Sequence, residues 1–352
     1  METRNNPVPF MASHPGRILK SELDERNIKQ KEFATTLGMQ PSHLSEIIRG
    51  KRGISHDLAD KLQDALGIPT IFWLNLQTQY EYNTKAIEQR DIKEQQAHNE
   101  LEDYNRVCDI PTLIKRLGIT AQQFADRLLQ LKQRLNLPEV ASLQLQFDGA
   151  FRKSVKVGTD PRMVMTWALL AKATVSNEPL PGTYSHDRDQ DMIGELVGIL
   201  HQNRDTIVRV RQALANYGIR FAIVEKVDKA SIDGYSFILD GVPCIVLTLR
   251  YQRIDNFAFT LMHEVGHIVN DDTDNLAHLF AEESADNFAS SSLIPDRLWK
   301  NIPSVQMKPF SVQKVYTQWA IENHLDPWIV LGRVSHEFKI WNFRGSANRQ
   351  IQ

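Results

Sequence analysis

The stretch Gln30 to Arg49, QKEFATTLGMQPSHLSEIIR, decides how the N-terminal part of the chain folds. Residues 30 to 37 favour a helix that stops at Gly38, where glycine enters a left-handed turn at little cost. A second helix starts at Pro41, a residue suited to a first turn, and runs to Arg49 before Gly50. Leu44, Ile47 and Ile48 share one face of it, while Gln40, Ser42, His43, Ser45 and Glu46 point away. Ala34 is small enough to let the two helices pack closely.

Helices are expected on both sides of this pair. Upstream, Pro15 and Gly16 open a helix carrying Ile18, Leu19 and Leu23. Downstream, Ser55 is a candidate N-cap for a helix that ends at Gly67, and a fifth begins near Pro69 with Phe72, Trp73, Leu76 and Tyr80 at helical spacing. Five helices around a glycine turn have the layout of a helix-turn-helix. The outward side chains Gln40, Ser42, His43 and Ser45 suit base edges, and Arg49, Lys51 and Arg52 suit phosphates, with Lys29 and Lys31 completing a basic rim. The alternative use of such a domain is protein contact alone. Trp73, Leu76 and Tyr80 serve either a core or a dimer interface.

Composition sets the wider limits. At 352 residues the chain has room for two or three domains, and 42% apolar with 24% charged residues is ordinary for a globular protein. The formal net charge of -2 excludes a global attraction to polyanions, so nucleic-acid binding has to come from a local patch. Two distant cysteines, Cys108 and Cys244, exclude a disulfide framework and a thiolate zinc site. The chain shows no signal-peptide pattern and no apolar run of membrane-spanning length, so a cytoplasmic location without membrane contact is expected.

Glu81 to Tyr104 is charged and Gln-rich and reads as a solvated helix; Asp109 to Leu137 reads as a helical pair, and residues 161 to 174 as one more helix. After a Pro/Gly/Asp loop, helical periodicity from Met192 to Tyr217 gives way at Gly218 to IRFAIVEKV and then GYSFILDGVPCIVLTLR, two β-rich runs meeting at Asp240-Gly241. A small sheet packed on helices follows from this. The expected division is 1–83 DNA-binding, 84–140 connecting helix and linker, 141–190 helical, 191–300 the sheet-containing domain, and 301–352 a helical extension.

Phe257 to Asn270, FAFTLMHEVGHIVN, is an apolar helix on which His263 and His267 stand one turn apart on one face. Two neutral imidazoles so placed suit a single Zn2+, and Glu264 beside the first is placed to take a proton from an attacking water. A third ligand is required. The segment AEESADNFASSSLI, residues 281 to 294, offers Glu282 with Asp286 one turn later, a spacing similar to thermolysin-like peptidases, where the glutamate binds metal and the aspartate supports a ligand histidine. Glu283 is the rival ligand. From Ile254 to Asp296 there are nine Asp or Glu and no Lys or Arg, a negative field suited to a cation and to a basic peptide. Oxyanion donors could be His336, His278 or Tyr235, with His336 favoured.

FTLMHEVGHIV, EESADNFASSSLIP and the preceding strand pair resemble the ImmA/IrrE family of metallopeptidases over about residues 190 to 300. The resemblance implies a zincin-like fold, His263, His267 and Glu282 as metal ligands, and a helix-turn-helix repressor as protein substrate. Where the family carries an acidic residue this chain has Ser284. Residues 14 to 81, by the marks His14-Pro15-Gly16, Gly50 to Ser55 and Phe72 to Gln77, resemble HigA-type antitoxins of the Xre/Cro class. That implies a double-stranded DNA operator, a homodimer and a possible toxin partner. The fold expected is therefore multidomain and mainly α: an all-α helix-turn-helix domain followed by an α+β zincin-like metallopeptidase domain. Its function would be a regulator with a zinc endopeptidase, or alternatively a non-proteolytic repressor or antitoxin whose peptidase-like domain senses or binds a partner.

Overall fold

In a computed structural model the protein is described for residues 8–151, 159–180, 182–273, 283–304, 309–340, 343 and 349–352. It divides into two compact units, Met1–His98 and Asn99–Gln352. The division falls inside α5 (Thr70–Asn105), one unbroken 36-residue helix where the sequence suggests a fifth helix and a separate connecting one. No glycine or proline interrupts residues 70 to 105, so nothing in the backbone forces a break.

In the first unit α1 (Pro15–Glu25), α2 (Gln30–Thr36), α3 (Pro41–Ile48) and α4 (His56–Leu66) precede α5. The Ser55 hydroxyl accepts from the Leu58 amide and caps α4, which Gly67 closes at φ 71°. Leu19, Leu23, Phe33, Ala34, Leu44, Leu62 and Trp73 form the core, so Trp73 is an interior residue, whereas Phe72 is exposed. The residues that mark the HigA-type resemblance meet in space. A methyl group on Gly16 would sit 1.9 Å from the Ile47 carbonyl oxygen, and His14, buried at the start of α1, accepts from the Gly16 amide and lies edge-on to Tyr80 at 4.6 Å. Gln77 accepts from the Ile54 amide at 2.9 Å, and a side chain on Gly53 would meet it at 2.8 Å. These close approaches lock α1 and α5 onto the exit of α3. Burial holds the His14 imidazole below its ordinary pKa.

In the second unit α6 (Ile110–Arg116), α7 (Phe124–Leu135), α8 (Val140–Phe151) and α9 (Pro161–Val175) come first. Thr166, fully buried on α9, accepts from the Asp109 amide and donates to the Arg162 carbonyl, tying α6 to α9. The periodic stretch after residue 190 is two helices, α10 (Asp189–Gln202) and α11 (Thr206–Asn216), broken where Asn203 and Asp205 take left-handed φ of 43° and 46°. Strands β1 (Arg220–Ile223), β2 (Gly234–Leu239) and β3 (Val242–Leu247) form a sheet in the order β1-β3-β2. β1 runs parallel to β3; β2 and β3 are an antiparallel hairpin whose Asp240 and Gly241 both have positive φ, 52° and 76°. That is the two-residue turn that an Asp-Gly pair favours.

Beyond the sheet come α12 (Ile254–Val269), α13 (Glu283–Leu293), α14 (Asp296–Trp299), α15 (Pro309–Glu322) and α16 (Pro327–Phe338). α12 packs against β2 and β3 and against α13, and one core joins α10, α11, the sheet and α12 to α16. Cys108 and Cys244 are free and buried. No helix among the described residues is long and apolar enough to cross a membrane. The Gly16 contact yields a prediction: Gly16→Ala forces α1 off α3 and should lower the stability of the first unit by about 1–3 kcal/mol, read as a shift in urea midpoint at constant slope. An unchanged midpoint would show that the helices yield freely.

Candidate metal centre and nucleic-acid interface

α12 is buried along nearly its whole length, and its apolar residues Leu261, Met262, Val265 and Ile268 anchor it in the core. The remaining face carries His263, Glu264 and His267, which are 7%, 4% and 2% exposed, so the polar groups are set into the interior rather than on a wet surface. The His263 and His267 Nε2 atoms are 3.2 Å apart. His263 Nδ1 lies 2.8 Å from Asp286 Oδ1 on α13, and His267 Nδ1 lies 3.5 Å from Asp272 Oδ2, just past the end of α12. When each Nδ1–H faces its carboxylate, both Nε2 atoms present lone pairs to one another. Two such lone pairs repel unless a proton or a metal cation lies between them. Nitrogen ligands at about 2.05 Å in a tetrahedral site stand about 3.3 Å apart, so the separation fits a shared zinc ion.

Glu264 receives a hydrogen bond at 2.8 Å from the Ser236 hydroxyl of β2. The strand comes this close because residue 234 is glycine: a Cβ there would lie 2.5 Å from Glu264 Oε1. Tyr235, buried next in the strand, has its phenol pushed well up by burial and by the Glu264 charge. His267 is held below its ordinary pKa, first by burial and then by His263. Gly266 permits a similarly close crossing of α13, since a Cβ would meet the Phe288 ring at 2.9 Å.

The expected ligand Glu282 and the candidate donor His278 lie outside the described residues, and nothing is described of the Glu283 side chain. Among the described residues no group of three His, Cys, Asp or Glu side chains is placed to hold an ion. His336 is exposed on α16, where it lines a cavity of about 230 Å³ with Phe259, Thr260, Arg333 and Arg349. Two contributors escaped sequence reasoning: Ser236 and Asp272. Asp272 had one legible signal, its place in the run of acids after the histidine helix. Its neighbour Asp271 lies 3.2 Å from His186 Nε2, while His186 Nδ1 is 3.0 Å from Asp189, so an imidazole braces this segment.

On the first unit, Gln40, Ser42, His43, Arg49, Lys51 and Arg52 are exposed and Ser45 is half-buried. Arg49 donates to the Ser45 hydroxyl at 2.6 Å, and Arg52 pairs with Glu46 at 2.6 Å. These contacts order two arginines along the exit of α3.

Two helices joined through a glycine turn, with the second one's outer face exposed, are the form of a helix-turn-helix domain. The helix-turn-helix family model matches residues 19–73. The HTH-type transcriptional regulator YddM of Escherichia coli K12 is 39% identical over 69 residues, 19% of this chain and 73% of the relative. The chain belongs to the helix-turn-helix family, with an N-terminal domain of the Xre/HigA-like kind. Virulence-associated protein A' of Dichelobacter nodosus is 46% identical over 69 residues, covering 19% of this chain and 60% of that protein. Among solved structures, an addiction module antidote protein of the HigA family from Coxiella burnetii is 30% identical over 25% of this chain and 95% of its own, with a TM-score of 0.22.

The aspartates behind the two imidazoles carry a prediction. Asp272→Ala and Asp286→Ala should each weaken zinc retention about 10- to 100-fold against a chelator, with secondary structure preserved. Retention equal to wild type in both variants would remove these carboxylates from the site.

Proposed function

We propose that this chain is a DNA-binding transcriptional regulator whose second unit is a zinc-dependent endopeptidase. Its substrate would be a helix-turn-helix repressor or its own DNA-binding domain. The observation that carries the reading is the pair of Nε2 atoms 3.2 Å apart, each imidazole backed by a carboxylate, with the buried Glu264 beside them. A retired site has no reason to keep two imidazoles, a carboxylate behind each and Glu264 together. His263 and His267 would hold the ion with Glu282 as third ligand. Bound there, zinc would polarise the scissile carbonyl and make an attacking water acidic.

Every other role falls to the protein's own groups. The Ser236 hydroxyl holds Glu264 Oε2 and so fixes the carboxylate that accepts the water's proton and passes it to the departing amine. Tyr235 keeps its proton but lies with Phe237 on the side of β2 away from Gly234 and Ser236, so the donor to the reacting carbonyl would be His336, the residue the sequence favours. β2 supplies an edge on which an extended substrate could lie. The zincin-like fold class rests on the same elements: a small sheet against the histidine helix, followed by a helix whose Asp286 reaches back to His263.

The DNA-binding reading rests on the helix-turn-helix family and on the exposed face of α3. Gln40, Ser42 and His43 would meet base edges, Lys51 and Arg52 phosphates, and Arg49 would hold Ser45 while reaching the backbone. A homodimer on a double-stranded operator, a toxin partner and a cytoplasmic site of action follow from the HigA-type resemblance.

Two measurements test these roles. After metal analysis of the purified chain, wild type and Glu264→Gln are incubated with Xre-type repressors. Cleavage should drop about 10²- to 10⁴-fold in the variant while zinc stays bound. Zinc-free wild type that cleaves nothing would leave the non-proteolytic repressor or antitoxin as the surviving reading, and equal cleavage by both proteins would take Glu264 out of the mechanism. For DNA, Lys51→Ala should weaken binding alike on all sequences and reduce the salt slope by about one. An unaltered slope would take Lys51 off the phosphate backbone.

A further inference from the structure

Residues 117 to 177, with the β2–β3 turn, line an open cavity of about 640 Å³ between α7, α8 and α9. Its walls are largely apolar, with Leu135, Leu143, Met165 and Leu169 among them, and it is also lined by Lys172 of α9. Among the described residues Lys172 has no carboxylate and no hydrogen-bond acceptor in reach; its ammonium stands 5.6 Å from the centroid of the Phe237 ring. The other ionic groups lining the space are accounted for differently. Arg134 is engaged by the Leu117 carbonyl, and Asp240 lines the cavity from the β2–β3 turn without an ion pair to Lys172.

Lys172 is half-buried, its ammonium faces the cavity without an anion among the described residues, and the cost of partial loss of water pulls its pKa below the ordinary value. An incoming anion would offset that cost, a neutral molecule would not, and a cation would add to it. The apolar walls ask for a hydrocarbon body on the same molecule. We propose that this cavity binds an amphipathic monocarboxylate, its head on Lys172 and its chain against Leu135, Leu143, Met165 and Leu169.

The position of the cavity gives the ligand a route to the histidine helix. Phe237, under the Lys172 ammonium, and Tyr235, whose ring is tilted 32° to that of Phe237 at 4.6 Å, share one side of β2. Gly234 and Ser236 occupy the other side of the same strand, against Glu264. A carboxylate that draws Lys172 away from the ring changes the packing on the strand that holds Glu264. The site stands apart from the peptidase reading, because binding is measured without any cleavage.

The test uses the full chain at about pH 7 and calorimetric titration with sodium octanoate, 1-octanol and octylammonium chloride. Octanoate should bind at one site with a Kd at least about tenfold below those of the other two, as expected for one charge-assisted contact. Lys172→Met should lose that preference while leaving octanol binding unchanged, and Lys172→Arg should keep it. Equal affinity for octanoate and octanol in wild type, no binding of either, or undiminished octanoate binding by Lys172→Met would each overturn the proposal. Should Lys172→Met fail to fold by circular dichroism, wild type labelled with 13C-lysine decides the matter: the Lys172 signal, assigned from Lys172→Arg, must move when octanoate is added. A stationary signal overturns the site.

Discussion

Two imidazole nitrogens 3.2 Å apart inside a protein have to share a proton or a metal cation, and the elements around His263 and His267 agree in holding that spacing. His263 and His267 are brought to 3.2 Å by one turn of α12, and their far nitrogens are turned toward Asp286 and Asp272. To hold Asp286 there, α13 has to cross α12 closely, which Gly266 allows. To hold Glu264 beside them, β2 has to come within van der Waals contact of its carboxylate, which Gly234 allows. The hairpin turn at Asp240-Gly241 sets the register that places Ser236 on the Glu264 side of the strand. The local choices agree with one another, as they do in sequences that specify a single structure.

The first unit solves a different problem with similar means. Its small core leaves little apolar surface to spare, so helix positions are fixed by close backbone approaches as much as by side-chain burial. Gly16 lies on Ile47, His14 fills the space beside Gly50, and Gly53 makes room for Gln77. Each is a contact between segments far apart in sequence.

Much of this was legible in the residues. Glycine and proline punctuation located α1 to α4 within a residue or two, because those residues act locally. The histidine helix and the Asp-Gly hairpin were readable for the same reason. The unbroken α5 was not: its apolar pattern fades beyond Tyr80, although the backbone has no cause to stop. Nor was the break between α10 and α11, where Asn203 and Asp205, types that tolerate left-handed φ, interrupt an apolar periodicity that runs on past them. Ser236 and Asp272 become visible only once the chain is folded, since a strand and a loop bring them to the histidine helix from outside any motif. The cavity beside Lys172 is illegible for a stronger reason, because its walls come from α7, α8, α9 and the sheet together.

The split between packed and unpacked residues on α3 bears on how this domain changes over generations. Leu44 and Ile47 are committed to the core, and Gly50 is committed to His14. Gln40, Ser42 and His43 are exposed and support no packing, so replacing them should alter fold stability by no more than about 0.5 kcal/mol. Inheritance can therefore rewrite these three letters while the scaffold stays intact, and a lineage can acquire a new recognition surface without first passing through a less stable ancestor.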